Sequence, residues 1–299
     1  MNIAESAFRS LETTDPRPTA LVIGTGFGGL AAAIRLGAKG YRVHMLEKLD
    51  APGGRAYVYH QDGFTFDAGP TIVTAPFLLE ELWALCGKRF ADDVELKPMD
   101  PFFRLRFDDG RIFDYSGDKA RNIEQIKNYN EADADGYERY LKASEERYKV
   151  GFEGLVDKPF DSLFALFKFM PQLIRLRADR SVYKLVSRYI RDPQLRMTMS
   201  FHPLLIGGNP FSVTSVYTLI SFLEQRFGVW SAMGGTGSIV KGMAGLIEGQ
   251  GGKIECNAEV EEILVEEGAV RGVRLADGRT LHSETSPPKL SGCLSSSWS

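Results

Sequence analysis

The sequence is poor in cysteine and histidine, and this scarcity argues against disulfide bonds and metal sites. The three cysteines (Cys86, Cys256 and Cys293) are odd in number and widely separated, which predicts a reducing compartment and no disulfide framework. The four histidines do not cluster, and neither residue type has the spacing of metal ligands. We therefore expect no metal site, and we interpret each histidine as a surface or hydrogen-bonded residue.

Long apolar runs and an excess of positive charge are also missing. No segment is long and apolar enough to span a bilayer, and the net charge of −3 gives no basic field that would attract nucleic acid. Residues 1–18 are polar and contain Glu5, Glu12 and Asp15, so they lack the apolar centre of a secretion signal. We expect them to form a disordered cytoplasmic leader.

What the sequence does contain is a glycine loop in an informative setting. The loop Gly24-Thr25-Gly26-Phe27-Gly28-Gly29 follows the apolar strand candidate Leu21–Ile23 and precedes a helix-like stretch, Leu30–Ala38. A second strand candidate, Arg42–Leu46, then ends at the acid Glu47. This order of strand, tight turn, helix, strand and acid is typical of a dinucleotide-binding unit.

Each of three glycines in such a loop has a physical purpose. Gly24 permits the tight turn, Gly26 lets backbone N–H groups approach a pyrophosphate, and Gly29 lets the helix pack close to its strand. The pyrophosphate would sit at the positive end of the helix, while Glu47 would accept hydrogen bonds from a ribose. A chance glycine-rich loop is the alternative for the six residues alone, but the flanking elements favour the dinucleotide interpretation.

A second small-residue loop follows the acid directly. Pro52-Gly53-Gly54-Arg55 would allow another close backbone approach, and Arg55 could face an anionic phosphate. An ordinary turn is the alternative interpretation of the two glycines. Here the sequence resembles the glutathione-reductase-like FAD superfamily, in its amine-oxidase branch, where Glu47, Gly53, Gly54 and Arg55 match FAD-contacting positions. The resemblance also places Val260 at a strand position whose backbone meets the adenine.

The order of elements predicts an α/β fold with a divided cofactor domain. We expect a Rossmann-like FAD-binding domain in two parts, residues 19–75 and 234–283, around an inserted α+β substrate domain, 76–233. In the insertion, Asp108-Asp109-Gly110 predicts a hairpin turn, and charged helical sequence follows over about residues 118–150. In the returning part, Gly234-Gly235-Thr236-Gly237 precedes a helix candidate, Ser238–Ile247, and strand candidates at Lys253–Cys256, Val260–Glu266 and Val270–Leu275.

One stretch of the insertion combines aromatic and basic residues. Between Pro159 and Asp192, a crowded apolar segment is followed by an excess of arginine and lysine. One interpretation is a peripheral membrane patch, in which aromatics enter the interface and cations meet anionic headgroups. The alternative, which we favour here, is a pair of packed helices with solvated basic faces.

Longer segments resemble the bacterial-type phytoene desaturases of carotenoid biosynthesis. They are Gly53 to Val58 (GGRAYV), Asp62 to Thr71 (DGFTFDAGPT), Trp83 to Leu85, Arg180 to Tyr183, Phe201 to Phe211 (FHPLLIGGNPF) and Gly234 to Gly237. The likeness extends over about residues 19–282. The glycine loop alone would mark a superfamily, whereas DGFTFDAGPT combined with LLIGGNPF is far more specific.

This resemblance implies an FAD enzyme that desaturates phytoene, a C40 isoprenoid hydrocarbon, toward neurosporene or lycopene. Partly desaturated carotenoids would be further substrates, and a quinone or oxygen the electron acceptor. The enzyme would be cytoplasmic and peripheral at the membrane surface. Alternatives are another FAD-dependent carotenoid or retinoid oxidoreductase, or a non-catalytic flavin-binding fragment.

A hydrocarbon substrate calls for a long apolar tunnel rather than polar ligands. Candidates for its lining, with ordinary core as the alternative, are Phe64, Phe66, Phe201, Leu204, Leu205, Ile206 and Phe211. No catalytic residue is assigned. The family's suggested aspartate and arginine align with Lys142 and Glu145, which depart from that pattern.

The end of the chain differs from the family. After His282 comes a serine- and proline-rich run, Thr285 to Ser299, without helical or strand periodicity, which we expect to be disordered. We interpret residues 284–299 as a non-native tail after a frameshift, with a natural short paralogue as the alternative. The fold would then be incomplete at the C-terminus, so we expect weak FAD binding and predict that the chain can be inactive.

Overall fold

The computed structural model describes residues 15–154 and 170–282. Its strands are β1 Thr19–Ile23, β2 Arg42–Leu46, β3 Val58–Gln61, β4 Phe64–Asp67, β5 Leu96–Pro98, β6 Phe103–Arg106, β7 Ile112–Tyr115, β8 Trp230–Ala232, β9 Lys253–Glu255, β10 Val260–Glu266, β11 Ala269–Leu275 and β12 Thr280–His282. Its helices are α1 Phe27–Ala38, α2 Pro76–Leu85, α3 Phe90–Asp93, α4 Lys119–Tyr129, α5 Asp133–Tyr148, α6 Val182–Val186, α7 Pro193–Met199, α8 Leu219–Phe227 and α9 Thr236–Gly249.

The chain divides into two compact units. Unit 1 comprises Met1–Thr71, Phe77–Leu96 and Ala232–Ser299, and unit 2 comprises Ile72–Pro76 and Lys97–Ser231, each as far as its residues are described. The expected insertion began at residue 76, whereas residues 77–96 group with unit 1. The physical reason is Trp83, which is fully buried and lies against Gly242 of α9. The roles given to the predicted domains stay predictions.

Unit 1 contains a three-stranded parallel sheet in the order β1-β2-β9. Leu46 pairs with Ile23 on one side and with Glu255 on the other. Such parallel neighbours need crossover connections, and α1 supplies the one between β1 and β2. Gly40, with φ of +89°, follows the end of α1 and turns the chain back into β2.

An antiparallel meander, β10-β11-β12, forms the second sheet of unit 1. Its apolar face packs on the parallel sheet through a cluster of Leu46, Ala258, Val273 and Leu275. The predicted strand Val260–Glu266 is observed with those bounds. The hairpin β3–β4 carries the first part of the DGFTFDAGPT segment.

Unit 2 is built around helix α5 and the hairpin β6–β7. The predicted turn is present, with Gly110 at φ of +84° between the two strands. Helix α5 is amphipathic, because Tyr137, Tyr140, Ser144 and Tyr148 recur at helical spacing and are buried. Its core also takes residues from the hairpin and from the later helices, among them Phe113, Tyr115, Val186, Ile190, Leu195 and Met199.

Several expectations fall on residues that the structure does not describe. They concern the leader over residues 1–14, the aromatic segment over 155–169 and the tail over 283–299. In the described ranges, 15–154 and 170–282, the search for membrane-spanning helices finds none of sufficient length and hydropathy.

Candidate functional site

The glycine loop connects β1 to α1 in a sharp turn. Gly24 has φ of +87°, a backbone conformation that favours glycine, and its N–H donates to the carbonyl of Leu46 at 2.8 Å. Helix α1 begins directly afterwards, with Gly26 as its N-cap and without a side chain capping its first turn. The N–H groups of that turn are therefore available to an anion, and the helix dipole favours one there.

Packing explains which of the loop's glycines must be small. A β-carbon added at Gly29 would lie 2.1 Å from the carbonyl oxygen of Gly24, so helix and turn meet backbone to backbone. A β-carbon at Gly26 or Gly28 would meet nothing within 4 Å. The loop is thus tight toward the protein and open on the side where a pyrophosphate would approach, which fits a dinucleotide cofactor.

Glu47 lies at the end of β2 with its carboxylate held by protein donors. Its Oε2 accepts hydrogen bonds from the backbone N–H of Thr25 at 2.9 Å and from the Thr25 hydroxyl at 2.5 Å. Its Oε1 accepts from the backbone N–H of Leu49 at 3.0 Å. The side chain that orients the predicted ribose acid is therefore Thr25, which was not among the predicted site residues. Its position beside two glycines gave no signal of this contact.

The second glycine pair is brought against the first loop. The N–H of Gly53 donates to the Thr25 carbonyl at 3.1 Å, and a β-carbon added at Gly54 would lie 2.9 Å from Cα of Gly26. Both glycines have positive φ, +136° and +56°. The two predicted glycine segments thus form one continuous backbone surface, and their contact with FAD stays a prediction.

Arg55 is exposed and lies in the 3₁₀ turn Gly54–Ala56. The end of the DGFTFDAGPT segment packs on this turn. A β-carbon at Gly69 would lie 2.0 Å from the Arg55 carbonyl oxygen, and the Ala68 N–H donates to the Tyr57 carbonyl at 3.0 Å. The segment that marked the family resemblance therefore supports the turn that carries Arg55.

The returning glycine segment adds a second helix start to unit 1. The hydroxyl of Thr236, at the first position of α9, donates to Oδ1 of Asp67 at 3.4 Å. A β-carbon at Gly235 would lie 2.0 Å from Oδ2 of the same carboxylate. Asp67 was not among the predicted site residues, because its partners lie far away along the chain.

Val260, the predicted adenine-contacting residue, begins β10 and pairs with Leu275. It packs at the edge of the cluster that includes Leu46, the residue before Glu47. All eight predicted cofactor residues thus lie in unit 1. Their individual roles stay predictions.

Charged residues surround Glu255 on β9, the strand that pairs with β2. Its carboxylate accepts from His44 at 2.9 Å, Lys253 at 2.8 Å and Arg279 at 2.7 Å, and these contacts, that of Lys253 foremost, lower its pKa to about 2. Burial lowers the pKa of His44. The Glu255 carbonyl accepts the N–H of Glu47 at 2.8 Å, so this network fixes the strand end from which Glu47 projects.

Most of the residues predicted to line a tunnel are exposed, which differs from the burial expected of ordinary core residues. Phe64 and Phe66 of unit 1 are 66% and 53% exposed. In unit 2 the exposed members are Leu204, Leu205, Ile206 and Phe211. Phe201 is half-buried and stacks on Phe103 at 4.8 Å between ring centroids. Ordinary core is therefore the wrong interpretation for six of the seven, and their part in a tunnel stays a prediction.

Unit 2 also contains a buried polar pair that the sequence did not reveal. His202 Nε2 and Glu224 Oε2 are 2.8 Å apart, and each side chain is 1% exposed. The Ser221 hydroxyl lies 3.3 Å from His202 Nδ1 and 2.7 Å from the Tyr140 hydroxyl. This closed network anchors the start of the exposed apolar turn His202–Ile206.

The comparisons with known proteins agree with this geometry. The chain matches the family described as flavin containing amine oxidoreductase over residues 27–285. It is 49% identical over 274 residues to the phytoene desaturase (neurosporene-forming) of Cereibacter sphaeroides, covering 92% of this chain and 53% of that protein. It is 50% identical over 264 residues to the phytoene desaturase (lycopene-forming) of Pseudescherichia vulneris, covering 88% and 54%. The chain spans about half the length of these curated relatives.

A solved structure shows the same fold. Wild-type putrescine oxidase with bound putrescine aligns with a TM-score of 0.57 and 17% identity, covering 89% of this chain and 56% of that chain. Together with the parallel sheet and its glycine loop, this likeness confirms the predicted α/β flavoprotein fold of the amine-oxidase branch. The chain belongs to the flavin containing amine oxidoreductase family, and its cofactor is FAD.

Proposed function

We propose that this chain is part of an FAD-dependent enzyme that desaturates phytoene toward neurosporene or lycopene. The observation that carries the proposal is the identity of 49% and 50% to two enzymes with these products over 92% and 88% of the chain. The glycine loop and the acid support it independently, because their geometry fits the adenosine half of a flavin.

The residues of unit 1 would bind and orient the cofactor. Glu47 accepts a ribose hydroxyl, the first turn of α1 donates N–H groups to the pyrophosphate, and Gly53 with Gly54 allows close approach of the chain. Bound FAD supplies a hydride acceptor for a saturated carbon of the substrate. No catalytic acid or base is assigned to this chain.

The substrate would be recognised by apolar contact, since phytoene has no heteroatom for a polar group to bind. The exposed apolar residues of the turn His202–Ile206, together with Phe211, are the side chains of unit 2 best suited to that contact. Such a substrate partitions into lipid, which supports a cytoplasmic enzyme in peripheral contact with the membrane. We propose a quinone or oxygen as the electron acceptor.

The test combines cofactor retention with product analysis. The full chain is expressed in a host that accumulates phytoene, its flavin content is measured after purification, and the carotenoids are separated by chromatography. We expect weakly bound FAD and a low yield of desaturated products, and we expect both to be lost in Glu47→Gln. Retained FAD without any change in the phytoene pool would contradict the desaturase assignment.

Two other functions predict different results in the same experiment. Another FAD-dependent carotenoid or retinoid oxidoreductase would leave phytoene unchanged and convert an already desaturated carotenoid. A non-catalytic flavin-binding fragment would retain FAD and convert neither compound. Feeding both carotenoid classes in parallel separates the three assignments.

A further inference from the structure

The carboxylate of Glu47 has few acceptor positions left for a ligand. An ionised carboxylate offers about four lone-pair sites, two on each oxygen. The N–H and the hydroxyl of Thr25 occupy both sites of Oε2, and the N–H of Leu49 occupies one site of Oε1. A single position on Oε1 therefore remains, whereas a ribose diol presents two hydroxyls.

Among these three donors, only the Thr25 hydroxyl depends on the side chain. The other two are backbone N–H groups, which any residue except proline would supply. Thr25 is fully buried, so its hydroxyl needs a partner inside the protein, and Glu47 is the acceptor 2.5 Å away. The N–H of Gly53 donates to the Thr25 backbone carbonyl at 3.1 Å and to the Thr25 hydroxyl oxygen at 3.3 Å, so a residue without the hydroxyl keeps the first of these contacts and loses the second.

We propose that Thr25 is a specificity-determining residue of the ribose site. By occupying Oε2, its hydroxyl makes Glu47 an acceptor for one ribose hydroxyl, through Oε1, instead of for both. This inference rests on the proposed role of Glu47 in FAD binding. It predicts that one of the two hydroxyls of the adenosine ribose contributes to affinity through Glu47 and that the other does not.

The test uses the adenosine half of the cofactor and its deoxy analogues. Calorimetric titration of the full chain with ADP, 2′-deoxy-ADP and 3′-deoxy-ADP measures the contribution of each hydroxyl. For the wild type we expect one analogue to bind about tenfold more weakly than ADP, as for a hydrogen bond to a charged group. The other analogue should bind within about threefold of ADP.

Substitutions at position 25 then shift this pattern. Thr25→Ala and Thr25→Val free the second site on Oε2, so both analogues should bind about tenfold more weakly than ADP. Thr25→Ser keeps the hydroxyl and should reproduce the wild-type asymmetry. The valine variant preserves the volume of threonine and separates the hydroxyl from a packing effect. Thr280→Ala on the exposed strand β12 serves as a matched control.

Equal penalties for both analogues in the wild type, or an unchanged asymmetry in the alanine and valine variants, would overturn the proposal. Melting temperatures by circular dichroism identify a variant that fails to fold, and the wild-type titrations then decide the outcome, because equal penalties there already contradict the proposal. A different result would contradict the assignment of FAD as the cofactor. A chain that retains no FAD and binds no ADP contradicts the proposed function and, with it, this inference, whereas retained FAD with symmetric penalties contradicts only the role of Thr25.

Discussion

At the scale of single residues, position 29 must be glycine because of a neighbouring backbone atom and not because of its own φ and ψ angles. The Gly24 carbonyl leaves no space for a β-carbon at Gly29. We expect Gly29→Ala to lower the free energy of unfolding by about 1–3 kcal/mol, as overpacked substitutions do. Urea denaturation followed by circular dichroism measures this loss, and the purified variant should also contain less FAD.

The matched control is Gly28→Ala, one position earlier in the same helix. A β-carbon there meets nothing within 4 Å, so helix propensity is the remaining effect and favours alanine by about 0.5–1 kcal/mol. Equal destabilisation by the two substitutions would show that the tight contact between α1 and the turn is absent.

The second residue-scale prediction concerns Glu255 and pH. Its folded-state pKa of about 2 lies below the ordinary value of 4.5. The network therefore contributes stability that is fully present above pH 4.5 and is lost as the pH falls toward 2. His44 acts in a higher window, because its lowered pKa makes the unfolded state bind a proton first, so stability declines as the pH drops below 6.5.

The measurement compares wild type with Glu255→Gln across this range. At pH 7 we expect the variant to be less stable by about 1 kcal/mol, a modest value because the ion pairs of Glu255 are partly exposed. The difference should shrink between pH 4.5 and pH 2, where the wild-type carboxyl becomes neutral like the amide. A difference that does not depend on pH would contradict the ionic origin of the effect.

Sequence reasoning succeeded at this scale where a residue acts through its own backbone. Gly24 and Gly29 were identified by spacing because the turn and the close approach are local requirements. Thr25 and Asp67 were missed because their side-chain partners lie 22 and 169 residues away, and the sequence contains no signal for such contacts. The His202–Glu224 pair was missed for the same reason.

At the scale of elements, Asp133 couples the start of α5 to the chain before α7. It is fully buried, and its carboxylate accepts the N–H groups of Arg191 at 2.7 Å and Asp192 at 2.8 Å. We expect Asp133→Asn to cost about 1.5–3 kcal/mol of unfolding free energy, because an amide cannot accept both bonds and adds a buried donor. Thermal and urea unfolding measure the change.

Asp135 provides the comparison within the same turn of α5. It is exposed, and it lies near the helix N-terminus like Asp133, so Asp135→Asn removes a similar interaction with the helix dipole. We expect a loss of at most about 0.5 kcal/mol there. If the two asparagine variants have the same free energy of unfolding, the hydrogen bonds of Asp133 to Arg191 and Asp192 do not stabilise the protein.

Helices and strands were predicted well where apolar residues repeat at regular intervals. Strand Val260–Glu266 has the expected bounds, and the helix expected at Ser238–Ile247 extends to Thr236–Gly249. Its start was missed by two residues because Thr236 and Gly237 are poor helix formers. In the structure the Thr236 hydroxyl donates to Asp67, and a β-carbon at Gly237 would lie 2.6 Å from the Val58 side chain, so both residues fit the first turn through contacts with distant segments.

At the scale of the whole molecule, the candidate cofactor residues all belong to unit 1. Hydrogen exchange with mass spectrometry should therefore show slower exchange in residues 24–30 and 47–56 when FAD is added, since a bound ligand suppresses local opening. The turn between β10 and β11 in the same unit serves as an internal control and should exchange at an unchanged rate. Retained FAD without protection in either segment would place the cofactor elsewhere.

The division into units was only partly readable from the sequence. The glycine segment at residue 234 indicated where the chain rejoins the cofactor-binding region. Residues 77–96 were assigned to the insertion, which was expected to begin at residue 76. The burial of Trp83 against Gly242 is a contact between distant segments, and it decides the grouping without any local signal.

The contact between Gly54 and Cα of Gly26 has a consequence for how this sequence can change over evolutionary time. The constraint acts on one side of this contact: position 54 does not tolerate enlargement while Gly26 stays in place, whereas a β-carbon at position 26 would meet nothing within 4 Å. Variation in surviving homologues should therefore concentrate in the neighbouring open positions. A recombinant protein that takes the segment around Gly26 from one homologue and the segment around Gly54 from another should fold only when the second homologue has glycine at position 54.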